Sequence, residues 1–232
     1  MKITILTGAG VSADSGIATF RAADGLWENH RVEDVATPEA FARDPHLVQR
    51  FYNMRRKAVR EAEPNAAHRA LAELEREINT QYGAGSVTII TQNIDDLHER
   101  AGSENVIHMH GEVMSALCTA CGARNRWTGD MSSESACPGC GETALRPDIV
   151  WFGEAIYHPE RIAQAMENCD LFVVIGTSGQ VYPAAGLAAE AAFNGARTVL
   201  LNLESTGGIF DEEHLGAAAE IVPAWFAQQL AT

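Results

Sequence analysis

No run of eighteen apolar residues occurs in the 232-residue sequence, so no segment reads as a membrane-spanning helix. Positive charge is scarce: 17 Lys and Arg stand against 31 Asp and Glu, a formal net charge of -14. That balance opposes a phosphate backbone, and direct nucleic-acid binding is not expected. It tolerates a basic, lysine-bearing partner. Internal repeats, low-complexity tracts and charge blocks are missing, which argues against a repeat architecture. The opening residues, Met1 to Thr7, already read as a strand and leave no room for a targeting segment, so a bacterial-type cytoplasmic location and a monomer are expected.

Cysteine is sparse as well, with five in the chain, but four of them are arranged. Cys118-x2-Cys121 and Cys137-x2-Cys140 are separated by fifteen residues, the spacing at which four thiolates close one tetrahedral zinc site. Gly122, Pro138, Gly139 and Gly141 supply the tight turns that aim the sulfurs at one point. Disulfides or redox pairs fit a reducing compartment poorly. Four thiolates leave zinc no open position for water or substrate, so the metal is expected to be structural, with the chemistry elsewhere. Cys169, opening an apolar strand, reads as a small buried hydrophobe.

An apolar content of 46% over this length supports one core with a small satellite lobe. Short apolar runs read as strands at Lys2 to Leu6, Val87 to Thr91, Val106 to Met109, Leu171 to Ile175, Thr198 to Leu201 and Glu220 to Val222. Helical stretches lie between most of them, such as Asn65 to Asn79 and Pro183 to Phe193. The alternation predicts an α/β fold, a Rossmann-like doubly wound parallel sheet covered on both faces. Two insertions interrupt it. Residues 25–64 form a helical segment, with Thr37 as N-cap and Pro38 at the first helical position. Residues 116–145 form the zinc lobe, which leaves 1–24, 65–115 and 146–232 for the nucleotide-binding domain.

Gly8-Ala9-Gly10 follows the first strand and precedes a segment able to open a helix. Glycines there let a pyrophosphate approach the backbone, and a helix end supplies free N–H groups. Gly8-x-Gly10-x-x-Ala13 also passes the fingerprint of a nicotinamide dehydrogenase, with Glu28 near the place of its ribose-binding acid. That acid should end a second strand, however, and Thr19 to His30 contains no strand-like run.

The ordered motifs resemble another family. Gly8-Ala9-Gly10-Val11-Ser12-Ala13-Asp14-Ser15-Gly16-Ile17 with Phe20-Arg21, then Thr91-Gln92-Asn93-Ile94-Asp95, His110-Gly111, the four cysteines, Gly176-Thr177-Ser178 and Asn202-Leu203-Glu204 are similar to the sirtuins, NAD-dependent protein lysine deacylases. The resemblance extends from residue 3 to residue 223. It implies that NAD is a consumed co-substrate: the acyl oxygen of an acyl-lysine attacks C1′ of the nicotinamide ribose, nicotinamide leaves, and a base then activates a ribose hydroxyl.

His110 is the candidate base, an imidazole at a strand end before Gly111 and titrating near neutrality. His108 is left as a structural neighbour. Asn93 and Asp95 lie two apart, so on an extended segment both point the same way. By resemblance Asn93 orients the ribose or a water, Asp95 accepts from the nicotinamide carboxamide, and Gln92 and Ile94 complete that wall. Without the other motifs, Asn93 or Asp95 would read as a helix cap. Ser12, Phe20, Arg21 and Trp27 join Gly8, Ala9 and Gly10 around the cofactor, with Phe20 shielding the intermediate and Arg21 near the phosphates. Gly176, Thr177 and Ser178 end the strongest buried strand, where an open α/β sheet binds ligand. Asn202, Leu203 and Glu204 correspond to the adenosine-ribose segment, and Ala218 to the residue whose backbone contacts adenine. Val150-Trp151-Phe152-Gly153-Glu154 resembles the edge that pairs with the substrate backbone, placing Val150, Phe152, Gly153 and Glu154 against the peptide.

Tyr52 and Arg55 are i and i+3 in a helical segment and share one face. A guanidinium beside a phenol grips a carboxylate with parallel hydrogen bonds, and the pair resembles the mark of sirtuins that remove malonyl and succinyl groups. Ala36 matches a position where that branch carries a small residue. Against this stands a solvated helix charge, which Arg56 and Lys57 exemplify on the same helix. The expected function is removal of acetyl as well as succinyl or malonyl groups from acyl-lysine-bearing proteins. An ADP-ribosyltransferase or NAD glycohydrolase using the same site is the alternative enzyme, and an NAD-sensing or zinc-ribbon interaction module the alternative class. A binding module has no need of a base.

Overall fold

The computed structural model describes every residue except 19–25, 28–29, 180–181, 208–209 and 231–232, and only the backbone of Leu26, Trp27 and Leu230. Strand β1 (Ile3–Thr7) leads into a 3-10 helix, Ala9–Ser15. The helical insertion follows, with a two-strand ribbon, β2 (Leu26–Trp27) and β3 (His30–Arg31), then α1 (Val32–Val35), α2 (Pro38–Arg43) and α3 (Pro45–Glu61). Next come α4 (Ala66–Tyr82), β4 (Val87–Thr91), α5 (Leu97–Ala101) and β5 (Val106–His108). Strands β6 (Gly111–Cys118), β7 (Arg124–Arg126) and β8 (Leu145–Ile149) carry the cysteine lobe. The chain finishes through α6 (Pro159–Glu167), β9 (Leu171–Ile175), α7 (Ala184–Phe193), β10 (Arg197–Asn202), β11 (Glu212–Leu215) and α8 (Ala218–Leu230).

Six strands form one parallel sheet in the order β11-β10-β9-β1-β4-β5. The period-2 geometry of a strand divides each apolar run between two cores. Ile3, Ile5, Val87, Ile89, Leu171, Val173, Ile175, Val199 and Leu201 pack beneath α4 and α8. Leu6, Ile90, Phe172, Val174 and Leu200 pack on the opposite face beneath α6 and α7. Continuous apolar runs are what a sheet covered on both sides requires. The strand order reverses beside β1, which has β4 on one side and β9 on the other. Ligand sites of open α/β sheets lie at such a switch, outside the carboxyl ends of the strands.

One strand expectation fails. Glu220 to Val222 lies inside α8, whose Val222, Trp225 and Phe226 repeat at helical spacing and enter the core. Pro223 lies inside that helix, directly after Ile221-Val222. The sixth strand is instead β11, whose polar Glu212 to Leu215 alternates between half-buried and exposed at the sheet edge. Thr37 caps α2 as expected, its Oγ1 accepting from the Ala40 amide at 3.0 Å with Pro38 following. Arg56 corrects a second expectation: it is sealed from solvent, whereas its neighbour Lys57 is exposed. Among the described residues no helix is long and apolar enough to cross a membrane.

Candidate active site

The carboxyl ends of β1, β4, β9 and β10 open onto one cavity of about 790 Å³, within the ~300–1,000 Å³ typical of small-molecule and cofactor sites. Gly8, Ala9, Gly10 and Ser12 enter it after β1, Gln92, Asn93, Ile94 and Asp95 after β4, Gly176, Thr177 and Ser178 after β9. Asn202, Leu203 and Glu204 enter at the end of β10, and Ala218 at the start of α8. His110 lies in the same wall, as do Ala36, Tyr52 and Arg55 from the insertion and Val150, Phe152, Gly153 and Glu154 after β8. Phe20 and Arg21 lie outside the described residues, as do Glu28 and the Trp27 side chain.

The glycines have a steric cause within the fold itself. A Cβ on Gly8 would lie 2.7 Å from the Gly176 carbonyl oxygen, and one on Gly10 would lie 2.7 Å from the Gly176 Cα. Two loops therefore pack backbone on backbone, and the Gly10 amide is spent on the Gly176 carbonyl at 2.8 Å. The Gly8 amide likewise bonds Ile175. Neither N–H remains for a phosphate.

Ser12 is the hub beneath the cavity. Its hydroxyl donates to the Asp95 carboxylate at 3.0 Å and accepts from the Asn93 amide nitrogen at 3.0 Å. Asn93 and Asp95 thus converge on one oxygen, as their spacing predicted. Asp95 Oδ1 also accepts from the Leu97 amide at 3.2 Å, one residue ahead of the N-cap Asp96, whose own side chain makes no capping bond. Burial pushes the Asp95 carboxyl above the usual aspartate value against these bonds. Below Ser12 lies His68, 3.4 Å from the hydroxyl, whose desolvated imidazole falls to about 4. His98 packs edge-on against it.

Two histidines brace consecutive carbonyls of the Gln92–Asp95 loop. His110 Nδ1 lies 3.1 Å from the Gln92 carbonyl, and His108 Nδ1 3.3 Å from that of Asn93. A carbonyl only accepts, so both nitrogens carry their proton and the Nε2 atoms differ in fate. Burial holds His110 below the usual histidine value, partly offset by the Gln92 bond. His110 is therefore neutral at pH 7 with a basic Nε2. Burial opposes the His108 cation too, but Glu99 at 2.7 Å and Glu112 at 3.8 Å outweigh it and raise its pKa.

At the insertion side, Tyr52 is sealed from solvent and Arg55 nearly so, and both line the cavity. The Trp151 indole N–H donates to the Tyr52 hydroxyl at 3.0 Å, and burial pushes that phenol far above its usual value. Arg55 donates through both terminal nitrogens to the Ala18 carbonyl at 3.3 Å. The segment after β8 departs from an open edge. Val150 and Phe152 donate their amides to the carbonyls of His110 and Ala36, and Trp151 donates to Glu154. The Glu154 carboxylate also pairs bidentately with Arg146 at 2.7 and 2.9 Å. These three amides are committed within the chain.

The cysteines meet in the lobe. Ligand atoms of Cys118, Cys121, Cys137 and Cys140 all lie within 4.8 Å of one another. Cys118 and Cys140 sulfurs are 3.7 Å apart, and those of Cys121 and Cys137 3.9 Å. A tetrahedron with Zn–S of ~2.3 Å has an edge of ~3.8 Å, so the set fits one zinc. Amide bonds from Cys140 and Gly139 pull the Cys137 thiol below its usual value.

Sequence reasoning passed over Trp151 and His68. Trp151 lies in the Val150-Trp151-Phe152-Gly153-Glu154 run, where nothing marks its partner. His68 left a faint signal, since Asn65-x-x-His68 closes a capping box at the start of α4.

A model of the Sir2 family matches residues 8–183. A Pasteurella multocida protein named NAD-dependent protein deacylase is 55% identical over 235 residues, 99% of this chain and 98% of its own. A Salmonella typhimurium protein of the same name is 53% identical over 227 residues, 96% of this chain and 81% of its own. A solved structure of a Sir2 homolog–NAD complex matches with a TM-score of 0.87 at 40% identity, covering 100% of this chain and 91% of that one.

Proposed function

Since the chain belongs to the Sir2 family and resembles NAD-dependent protein deacylases along nearly its whole length, we propose that it removes both acetyl and succinyl or malonyl groups from protein lysines, releasing nicotinamide and 2′-O-acyl-ADP-ribose. The observation that carries this reading is the shared cavity: the strand-end loops, the neutral His110 and the Tyr52–Arg55 pair line one continuous space. NAD, when bound, supplies the electrophilic ribose carbon.

In this reading His110 takes a proton at Nε2 from a ribose hydroxyl, while its Nδ1 bond to Gln92 fixes ring and tautomer. Asn93 and Asp95, locked by Ser12, orient the ribose and the carboxamide. Gln92, tied to Thr177 at 3.1 Å, joins two of the loops around the co-substrate. Gly8–Gly10, Gly176–Ser178, Asn202–Glu204 and Ala218 form the adenosine side. Ala36 leaves room for a longer acyl chain, and Arg55 with Tyr52 holds its distal carboxylate. The structural zinc keeps the lobe folded and takes no part in bond making. Residues 1–24, 65–115 and 146–232 serve as the NAD-binding domain, 25–64 as part of the acyl pocket, and 116–145 as the zinc lobe. The protein works as a cytoplasmic monomer.

The test is mass spectrometry of one peptide carrying acetyl-, malonyl- or succinyl-lysine, incubated with NAD. Acyl-ADP-ribose from all three supports the reading. ADP-ribosylated protein, or free ADP-ribose without deacylation, would transfer the site to a ribosyltransferase or glycohydrolase.

A further inference from the structure

Helix α3 presents two adjacent stripes. Tyr52, Arg55 and Val59 face the cavity. Gln49, Asn53, Arg56 and Arg60 follow one another at i, i+4, i+7 and i+11 and so line a second ridge. All four reach backbone of the cysteine lobe or its stem. Gln49 Nε2 donates to the Leu145 carbonyl at 3.1 Å. Asn53 holds both sides of Met131, donating Nδ2 to its carbonyl at 2.9 Å and accepting its amide at 2.9 Å. Arg56 donates Nε to the Val113 carbonyl at 2.9 Å and a terminal nitrogen to Asn53 Oδ1 at 2.7 Å. Arg60 donates to the Thr128 carbonyl.

This ridge is costly for mere adhesion. Gln49 and Arg56 are 3% and 0% exposed, and among the described residues Gln49 Oε1 and one Arg56 terminal nitrogen find no partner. Desolvation lowers the Arg56 guanidinium to about 10. Apolar side chains would hold the surfaces together without that burial cost. Directional bonds to single backbone groups add what apolar packing lacks, a fixed axial position and rotation of the helix. Met131 carries the constraint inward, because its side chain packs with Cys118 and Cys137 in the lobe's own core.

We propose that the cysteine lobe sets the acyl selectivity of the cavity through this ridge. Asn53 and Gln49 are positioning residues that hold α3 in the register aiming Tyr52 and Arg55 at the acyl group. The inference rests on the reading of Tyr52 and Arg55 given above. Asn53 sits next to Tyr52 in the chain, and Arg56 next to Arg55, so a small rotation of α3 moves both pairs together.

The test uses the zinc-loaded protein with Asn53→Ala and, separately, Gln49→Leu. Zinc content, thermal midpoint and kcat/KM for succinyl- and acetyl-lysine forms of one peptide are measured, with Arg55→Met in parallel. Asn53→Ala is expected to retain its zinc and lower the succinyl-to-acetyl ratio about tenfold, mostly through KM, because a ~1 Å misplacement of a positioning element costs up to ~10²-fold. Asn53→Asp, which keeps the acceptor for Met131 N–H, should recover part of the ratio. Gln49→Leu should shift the ratio in the same direction and stands alone if Asn53→Ala does not fold. If Arg55→Met lowers the ratio while zinc-loaded Asn53→Ala or Gln49→Leu leaves it unchanged, the ridge is only structural and the proposal is overturned. If Arg55→Met also leaves it unchanged, the acyl-pair reading fails and this inference falls with it.

Discussion

His110 donates its Nδ1–H to the Gln92 carbonyl at 3.1 Å, which leaves Nε2 as the basic atom of a side chain that lines the cavity. Replacing His110 with Ala should therefore reduce deacylation ~10²-fold or more, the usual cost of losing a general base. NAD affinity by calorimetry should change little, because the base acts after the co-substrate is seated. Burial lowers the imidazole pKa from its usual value, so the rising limb of kcat/KM against pH, which reports the free enzyme, should have its midpoint below the ordinary histidine value of 6.5. A variant keeping more than about a tenth of the turnover would remove His110 from the role.

A second pH effect belongs to stability. His68 is buried as the neutral form at about 4, against 6.5 in the unfolded chain. Between those values the unfolded state binds the extra proton, so stability rises with pH: its contribution is complete above 6.5 and is lost as pH falls toward 4. His98, also depressed by burial, acts in the same direction, whereas His108, raised by Glu99, acts oppositely. The thermal midpoint should fall on acidification from pH 7 to pH 5, and His68→Gln should flatten that slope. An unchanged slope would mean that other groups carry it.

Much of this is legible in the amino-acid sequence. Leu171 to Ile175 and Val87 to Thr91 announce buried parallel strands because both faces of each are apolar. The four cysteines announce their cluster because zinc geometry constrains spacing. What stayed hidden depends on partners far away in sequence. Glu212 to Leu215 is a strand only because β10 lies beside it, and its polar alternation offers no apolar signal. Arg56 looks solvated until the cysteine lobe is folded over it. The glycines of the first turn were readable as necessary, but their necessity comes from Gly176 on another loop, 166 positions beyond Gly10.

Loss of the metal should act through the lobe rather than through chemistry. Cys118→Ser or Cys140→Ser removes one thiolate of the set around which the lobe's small core, Ala116, Cys118, Met131, Cys137 and Leu145, is built. The expected result is a metal-poor protein with a lowered thermal midpoint and an unchanged pH profile in whatever activity remains. Zinc content by atomic absorption, paired with calorimetry, checks this. A fully active, zinc-free and thermally unchanged variant would overturn the structural role.

The acyl pair gives the most discriminating measurement. Arg55→Met should cut desuccinylation far more than deacetylation, since only the acidic acyl group uses the guanidinium. Leaving that carboxylate without its charged partner costs ~2–5 kcal/mol, about 30-fold or more in the ratio of kcat/KM values. Tyr52→Phe should move the ratio in the same direction by less, because it removes a neutral hydrogen bond of ~1 kcal/mol. It has a second consequence: the Trp151 indole N–H, 3.0 Å from the Tyr52 oxygen, loses its acceptor in a buried setting. Tyr52→Phe should therefore also lower the thermal midpoint, an effect that Trp151→Phe, which removes the orphaned donor, should partly relieve in the double variant. Equal losses on acetyl and succinyl substrates with Arg55→Met would mean that Arg55 serves the fold through its bonds to Ala18, and the carboxylate-binding assignment would be withdrawn.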